Sequence, residues 1–254
     1  MLHVDRQKEI LALLFDKGSV SVGELSKKYG VRDETIRRDL KALAKDWNIE
    51  IIYGGAHVKE AGATQGVKEL ALAAKRGENH DAKQIIARKA ASLIEDGDVI
   101  GLNAGSTVEY ILDYIGEKSV SIVTLTLTVA AKAMQLPHAE VYMPGGKARK
   151  HSGVAMGPHS LDFIRSFHID KCFFGVSAFS KQRGFMHPVL EEVELNRAML
   201  SVSQKTYVVT DSSKINKTAF FSLAAINEVD AFIVDDDFPE DYREYLSQQK
   251  IEII

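Results

Sequence analysis

A short amphipathic helix with a basic face is the first feature of this sequence that could carry chemistry. The helix is predicted over residues 34–45, and its apolar positions recur at spacings of four and three: Ile36, Leu40 and Leu43. The other side is polar and mostly basic: Thr35, Arg37, Arg38 and Lys41. Arginine is the commonest reader of guanine edges, and threonine or lysine can bind phosphate. The pattern fits a helix that reads DNA, and a solvated helix face explains it about equally well.

Three loops in the second half of the chain have the composition of anion sites. The first, residues 103–107, reads NAGST, where Gly105 allows close backbone approach and hydroxyls and free amides can face an anion. The alternative is a purely structural loop, in which the serine only caps the following helix. The second, residues 123–126, is a hydroxyl-bearing strand end, and such an end is more often structural. The third, residues 144–150, has paired glycines followed by basic residues, and a solvated loop explains it equally well.

The basic helix belongs to a small N-terminal unit of short helices. Helices are predicted at about residues 4–17 and 22–28, and Ser21 with Glu24 forms a capping box before the second one. The turn around Gly30 then leads to the basic helix, as in a helix-turn-helix whose recognition helix enters the major groove. Alternating apolar residues at 49–53, paired glycines at 54–55 and residues 56–58 predict a two-stranded wing.

The rest of the chain alternates strand and helix patterns. Residues 59–80 are expected to form a linker with one helix, and a helical stripe at 82–94 stops at Asp96-Gly97. Strands are predicted near 98–103, 120–124, 139–143, 170–174, 206–209 and 231–234, with a possible terminal strand at 250–254. Helices are predicted at 106–116, 127–136, 158–167, 190–203 and 239–248. This alternation indicates a mostly parallel α/β sheet, in which small ligands bind beyond the carboxyl ends of the strands.

Composition restricts the class of protein without naming a function. The 254 residues are 45% hydrophobic and 26% charged with a net charge of −3, as in an ordinary globular protein that is not globally attracted to nucleic acid. One cysteine, Cys172, excludes an internal disulfide, and no paired Cys/His spacing indicates a metal site. Asp5 and Glu9 interrupt any signal-peptide core, and no run of 18 apolar residues predicts a membrane span. A cytoplasmic protein fits best.

Residues 6–56 resemble the DNA-binding domain of the DeoR family of bacterial transcription regulators. The resemblance rests on RQKEILALL, SVSVGELSKKYGV, ETIRRDLKAL and YGGA, with TIRRDL at 35–40 the most specific run. It implies a DNA-binding set made of Ser21, Thr35, Arg37, Arg38, Lys41, Gly54 and Gly55. Two departures stand out: Arg32-Asp33 replaces the usual serine cap, so Asp33 is expected to cap instead, and Ile52-Tyr53 replaces a basic residue and a histidine before the paired glycines.

The second half resembles the effector-binding domain of the same family, which shares its fold with ribose-phosphate isomerases and CoA transferases. The matches are DG at 96–97, GST at 105–107, VT at 123–124, GG at 145–146, Gly157, FFG at 173–175, Glu192 and DSSK at 211–214. The resemblance implies that a phosphorylated sugar or related metabolite is bound by a set of residues: Asn103, Gly105, Ser106, Thr107, Thr124, Gly145, Gly146, Lys147, Glu192, Asp211 and Lys214. Leu125 stands where the family usually has asparagine, and Asn196 replaces a frequent lysine.

An enzyme is the alternative, because residues 101–110 also look like the phosphate loop of ribose-phosphate isomerases. Catalysis would need a carboxylate base beside the substrate carbons, and Glu192 and Asp211 qualify only by residue type. The paired-Asp signature of that isomerase is missing, and an enzyme would not need the first 58 residues. The sequence therefore predicts a DNA-binding domain at 1–58, a linker at 59–80 and an α/β effector-binding and oligomerisation domain at 81–254. The predicted protein is a repressor of a carbohydrate operon that binds double-stranded operator DNA as a homo-oligomer, without cofactor or metal.

Overall fold

The computed structural model describes residues 6–7, 9–10, 13–14, 19–46, 49–58, 79–150 and 152–254. The chain divides into two compact units, Met1–Glu78 and Asn79–Ile254. Nearly all of the predicted linker at 59–80 lies outside the described residues, and the predicted domain boundaries stay a prediction.

The N-terminal unit combines helices with a small antiparallel sheet. Its elements are β1 (Ser19–Ser21), α1 (Val22–Tyr29), α2 (Asp33–Asp46), β2 (Ile49–Ile52) and β3 (Gly55–Val58). The helix predicted at 4–17 is described only in part, and its described residues 6–7, 9–10 and 13–14 are helical. The wing strands β2 and β3 pair as predicted. The sheet also contains β1, which sequence analysis missed because three residues are too few to show a period.

One apolar cluster fills this unit and fixes which side of α2 faces inward. Ile36 and Leu40 are fully buried and Leu43 is 7% exposed, so the predicted core face of α2 is confirmed. They pack against residues from the earlier helices and the sheet: Ile10, Leu14, Val20, Val22, Leu25, Ile49 and Ala56. Because the apolar face of α2 is used here, the basic side of α2 is the side left for other partners.

The C-terminal unit is built on a seven-stranded sheet. Its strands are β4 (Val99–Leu102), β5 (Val120–Thr124), β6 (Ala139–Tyr142), β9 (Ile169–Gly175), β12 (Ser203–Val209), β14 (Ala231–Ile233) and β15 (Glu252–Ile253). They lie in the order β15-β14-β12-β9-β4-β5-β6, and every neighbouring pair is parallel. The helices are α3 (His80–Ser92), α4 (Ser106–Ile111), α5 (Leu127–Ala133), α6 (Pro158–Arg165), α7 (Leu190–Ser201) and α8 (Glu240–Gln248), with 3-10 turns at Leu112–Tyr114, Ser212–Lys214 and Ile226–Glu228. The predicted mostly parallel α/β fold is confirmed.

Both faces of this sheet are covered by apolar clusters. Along β9, Cys172 and Phe174 pack in one cluster, while Phe173 between them packs in the other. This alternation follows from the period of two in a strand. Cys172 is buried as predicted, and burial raises the pKa of its thiol to about 12. The sheet is thus rigidly held, and its loops carry the polar chemistry.

Two smaller strand groups were not predicted. β10 (Ala178–Ser180), β11 (Gly184–His187) and β13 (Phe221–Ala224) form an antiparallel sheet, and β7 (Lys147–Ala148) pairs with β8 (Ala155–Met156). These strands have two to four residues, which is too short for a clear period-two signal. They matter for function because they position three residues that contact Glu192. His187 is the last residue of β11, and Arg149 and Ser152 lie between β7 and β8.

Candidate functional site

The recognition helix α2 begins one residue earlier than predicted. The carbonyl of Arg32 accepts hydrogen bonds from the amides of Thr35 (2.9 Å) and Ile36 (3.3 Å), so Arg32 occupies the N-cap position. Asp33 is the first helical residue, and the expectation that Asp33 caps the helix is wrong by one position. Asp33 and Glu34 still suit the first turn, because carboxylates there interact favourably with the helix dipole.

The predicted DNA-facing residues lie on one exposed side of α2. Arg37, Arg38 and Lys41 are exposed, and Thr35 is half-buried. Arg37 lies 3.7 Å from Glu34 in an exposed ion pair, which is too weak to keep its guanidinium from a phosphate or a base. The structure therefore brings these four side chains to one surface, although their contact with DNA stays a prediction.

A buried ion pair that sequence analysis missed anchors α2. Asp39 accepts a hydrogen bond from Nε of Arg6 at 2.7 Å and another from Nε2 of Gln7 at 3.1 Å. Asp39 is 1% exposed, on the same side of the helix as Ile36 and Leu43. An acidic residue at an apolar-face position was the available signal. The pair ties the N-terminal helical segment to α2 and so fixes how the basic side is presented.

The turn before β3 depends on both predicted glycines for different reasons. Gly54 has φ = +86°, a conformation that L side chains rarely adopt. A Cβ at Gly55 would collide with the carbonyl oxygen of Val20, because β1 packs closely there. Ser21 caps α1 by accepting from the Glu24 amide at 3.1 Å, as its half of the capping box predicted. Ser21 thus has a structural role, and its predicted DNA contact is untested.

The wing tip has a different chemistry from a basic wing. Tyr53, which follows Ile51 and Ile52 at the turn, is fully exposed, and both isoleucines are more than 40% exposed. Ile52 and Tyr53, the two residues expected to depart from the family pattern here, are thus both exposed, and the turn presents apolar side chains to solvent. Any contact of the wing with DNA would use these apolar groups together with the backbone.

The loop between β4 and α4 has the geometry expected for backbone approach to an anion. Gly105 has φ = +152°, and a Cβ built there would meet nothing within 4 Å, so the conformation and not crowding favours glycine. Ser106 and Thr107 open α4, with Ser106 half-buried and Thr107 8% exposed. Three predicted effector residues thus share one loop at the carboxyl edge of the sheet.

Two other predicted effector residues serve the architecture of this edge. Asn103 donates through Nδ2 to the carbonyl of Gly175 (2.9 Å) and accepts through Oδ1 from the Gly175 amide (2.8 Å). Its side chain therefore joins the ends of β4 and β9. Thr124 is fully buried and accepts from the amide of Thr126 at 3.3 Å. Their burial and bonding favour a role in positioning the loops over direct contact with a ligand.

Glu192 is the centre of a buried polar cluster. Its carboxylate accepts from Oγ of Ser152 at 2.7 Å, and Arg149 (3.5 Å) and Nε2 of His187 (3.4 Å) lie against it. Burial lowers the pKa of His187, and the charge of Glu192 opposes this shift. A small cavity of about 20 Å³ adjoins the cluster, and Asn103, Glu192, Leu125 and Asn196 are among its lining residues.

Asp211 and Lys214 lie beyond the carboxyl end of β12, in and before a 3-10 turn. Oδ1 of Asp211 accepts from the amide of Ser213 (2.9 Å) and from Nδ2 of Asn79 (3.2 Å). Burial acts to raise the pKa of Asp211, but the Ser213 hydrogen bonds, the charge of Lys214 and the Asn79 hydrogen bond outweigh it and lower that pKa. Burial raises the pKa of nearby Asp235. The edge thus holds an ionised carboxylate beside a cation.

Of the eleven predicted effector residues, Asn103 and Glu192 line the cavity and the other nine do not. Gly145, Gly146 and Lys147, for example, are exposed at the start of β7. Because β12, β9, β4 and β5 are parallel neighbours, the loops after them emerge at the same edge, with adjacent strands about 4.8 Å apart.

Within the described residues, no helix is long and apolar enough to cross a membrane.

Comparisons with known proteins match both units. A model of the DeoR-like helix-turn-helix domain matches residues 6–61, and a model of the DeoR C-terminal sensor domain matches residues 78–236. The chain is 31% identical over 98% of its length to the lactose phosphotransferase system repressor of Staphylococcus aureus (strain MRSA252), covering 95% of that protein. It is 32% identical over 92% of its length to the repressor of the same name from Staphylococcus epidermidis, covering 93% of that protein.

A solved isomerase structure shows remote similarity. Ribose 5-phosphate isomerase A from Methanocaldococcus jannaschii aligns with a TM-score of 0.40 and 20% identity, over 54% of this chain and 55% of that chain. The two family models together span most of the protein, and the relatives named above, matched over nearly its whole length, are repressors, so the chain is a regulator and not the isomerase considered as an alternative. The protein belongs to the DeoR family of transcription regulators.

Proposed function

We propose that this protein represses a carbohydrate-utilisation operon in the cytoplasm, and that a phosphorylated sugar bound at the carboxyl edge of its sheet relieves the repression. The observation that carries the proposal is the exposed basic side of α2, presented by a unit that matches the helix-turn-helix model. The curated relatives named as lactose phosphotransferase system repressors support the carbohydrate operon.

Repression requires that α2 bind operator DNA in the major groove. Arg37 and Arg38 are free of the core and can reach base edges or phosphates, while Lys41 adds a phosphate contact one turn later. The net charge of −3 supplies no general attraction, so binding must come from this local placement. Operator affinity should therefore depend strongly on few side chains.

A gel shift at fixed salt concentration tests the proposal that α2 binds operator DNA. Arg37→Ala or Arg38→Ala should weaken operator binding by about 1–3 kcal/mol if the arginine reads a base, and should reduce the salt slope by about one if it binds phosphate. Arg165→Ala is a matched control, because Arg165 is an exposed arginine at the end of α6 in the other unit. Unchanged affinity in both α2 variants would exclude α2 as the reader.

Derepression requires a ligand that binds the folded C-terminal unit. The backbone at Gly105, the hydroxyls of Ser106 and Thr107 and the ammonium of Lys214 together suit a dianionic phosphate better than a neutral sugar. Ligand binding then favours an arrangement of the DNA-binding units that no longer matches the spacing of the operator half-sites. This mechanism needs a homo-oligomer, which sedimentation analysis of the full-length protein can test.

A thermal-shift screen tests the proposal that the C-terminal unit binds a phosphorylated sugar. A sugar phosphate, but not its unphosphorylated parent, should raise the melting temperature, because a ligand that binds only the folded state stabilises that state by mass action. Lys214→Ala should remove most of the rise, whereas Lys217→Ala should retain it, since Lys217 is an exposed lysine three residues further along the chain. The sensing proposal fails if no phosphorylated sugar stabilises the wild type, or if Lys214→Ala responds like the wild type.

A further inference from the structure

The cavity beside Glu192 has a mixed wall and is small. Its volume of about 20 Å³ accommodates about one or two water-sized groups, which is the size of one end of a sugar and not of a whole one. Leu125, Val154 and Leu195 supply apolar surface, and Asn196 and Glu192 supply polar groups. Ala104 also lines the cavity and directly precedes Gly105, so the cavity adjoins the loop proposed to bind phosphate.

Asn196 has an unused hydrogen-bond donor at this cavity. Asn103 is held in one orientation by its two hydrogen bonds with Gly175, and its Nδ2 donates to Oδ1 of Asn196 at 3.2 Å. Nδ2 of Asn196 is therefore the free end, and it donates to no residue in the described part of the chain, although the side chain is only 6% exposed. Nδ2 is not one of the fully buried side-chain atoms that lack a partner, so it is accessible from the cavity, where an acceptor on a ligand can take the place of water.

The charges around the cavity disfavour an anion. Glu192 and Asn196 are one helical turn apart on α7 and lie on the same face of the helix. Among the residues that the structure describes, Arg149 lies against one oxygen of the Glu192 carboxylate at 3.5 Å, and His187 contacts the other oxygen at 3.4 Å. A second anion here would meet Glu192 and a neutral amide. A hydroxyl group, in contrast, can accept from Asn196 and donate to Glu192.

Two side chains from distant parts of the sequence determine the character of the cavity wall. Leu125, 2% exposed directly after β5, and Asn196, 6% exposed on α7, both line it although they are 71 positions apart in the sequence. Neither side chain carries a charge, so Glu192 meets an amide and an apolar side chain here, and the described residues that line the cavity include no lysine or arginine that would bind a second anion.

We infer that this cavity binds the uncharged, hydroxyl-bearing end of the effector, and that Asn196 and Leu125 determine this selectivity. The inference rests on the proposal that the C-terminal unit senses a phosphorylated sugar. The effector class is a sugar monophosphate whose end remote from the phosphate carries no second anion. The hydroxyl bonds to Asn196 and Glu192, and the carbon that bears it packs on Leu125 and Val154.

The test compares matched ligands by calorimetry on the full-length protein. Each of three monophosphates is paired with a counterpart that carries a second anionic group at the other end of the sugar. The pairs are a hexulose 1-phosphate with its 1,6-bisphosphate, a hexose 6-phosphate with 6-phosphogluconate, and a pentulose 5-phosphate with its 1,5-bisphosphate. The wild type should bind at least one monophosphate at least tenfold more tightly than the counterpart. Asn196→Lys should reduce that ratio at least tenfold, whereas Met134→Lys, which adds the same charge at an exposed position, should leave it unchanged.

A second variant keeps the test decisive if a lysine in the cavity prevents folding. Asn196→Ala should weaken binding of the preferred monophosphate but not of its analogue that lacks the terminal hydroxyl. The inference is overturned if the wild type binds every counterpart with a second anionic group as tightly as its monophosphate. It is also overturned if Asn196→Ala weakens binding of the monophosphate and of its analogue without the terminal hydroxyl equally. If none of the six phosphorylated ligands and no other member of the thermal-shift panel binds the wild type, the sensing proposal itself fails, which is a different outcome from lost selectivity.

Discussion

Removing the carboxylate of Asp39 should destabilise the N-terminal unit far more than any exposed charge on the same helix. The Arg6 and Asp39 side chains are 9% and 1% exposed, so their 2.7 Å contact is shielded from water. Asp39→Leu would leave a nearly buried guanidinium without its partner and would remove the acceptor for Gln7. Breaking a buried pair in this way costs about 3–5 kcal/mol, a large part of the stability of a small domain.

Hydrogen exchange of the full-length protein, read by mass spectrometry, measures this loss locally. A loss of about 3 kcal/mol corresponds to a fall of about 150-fold in the protection of α2 amides, since 1.4 kcal/mol is about tenfold. Protection in β9, in the other unit, should not change. Glu34→Ala is the matched control, because its ion pair with Arg37 is exposed and should be worth less than about 1 kcal/mol.

The double variant Arg6→Met with Asp39→Leu separates the ion pair from other effects of the substitution. Replacing both charged side chains by apolar ones leaves neither member of the ion pair without its partner, so protection should return to within about 1 kcal/mol of the wild type or exceed it. The reasoning is refuted if Asp39→Leu costs less than about 1 kcal/mol, or if the double variant is as unstable as the single one.

Three further predictions concern stability. Gly55→Ala should cost about 1–3 kcal/mol in a urea titration, because its Cβ would collide with the carbonyl oxygen of Val20, and an unchanged midpoint would contradict this packing. Asn103→Ala should lower the melting temperature, since it removes two hydrogen bonds to the backbone of half-buried Gly175, each worth about 0.5–1.5 kcal/mol; a melting temperature equal to that of the wild type would rule out the positioning role of Asn103. Burial lowers the pKa of His187, so the unfolded chain binds a proton more readily and stability should fall as the pH drops below about 6.5. His187→Gln should lose less stability over that range in melts at each pH, and a parallel loss in both proteins would rule out His187 as a contributor.

The recognition helix and the parallel sheet were predictable because both depend on local patterns. Ile36, Leu40 and Leu43 follow the helical period, and the β-branched run of β5, Val120–Thr124, has the bounds that the sequence predicted. The DSSK run at 211–214 was placed beyond β12 for the same reason. The short strands β1, β10, β11 and β13 were missed, because three or four residues form a strand only when a neighbouring strand is already in place.

The chemistry of the candidate site was predicted in part. Residue types in the Gly105 loop and in the DSSK run indicated an anion site, and both do emerge at the carboxyl edge of the sheet. Glu192 was predicted as an effector-binding residue and lines the cavity, while its effector contact stays a prediction; its partners Arg149, Ser152 and His187 were not predicted. They come from β11 and from the segment between β7 and β8, and the sequence contained no signal for either pairing.

By itself, the sequence determined the family, the order of the main elements and which side of α2 is buried and which is left exposed. These properties depend on residues within a few positions of each other, where helical and strand periods act directly. Only the tertiary structure decided that Asp39 pairs with Arg6, that Asn103 joins β4 to β9 through Gly175, and that Leu125 and Asn196 share one cavity. Each of these contacts joins residues more than 30 positions apart, and their meeting depends on sheet register and helix packing, which no local period encodes.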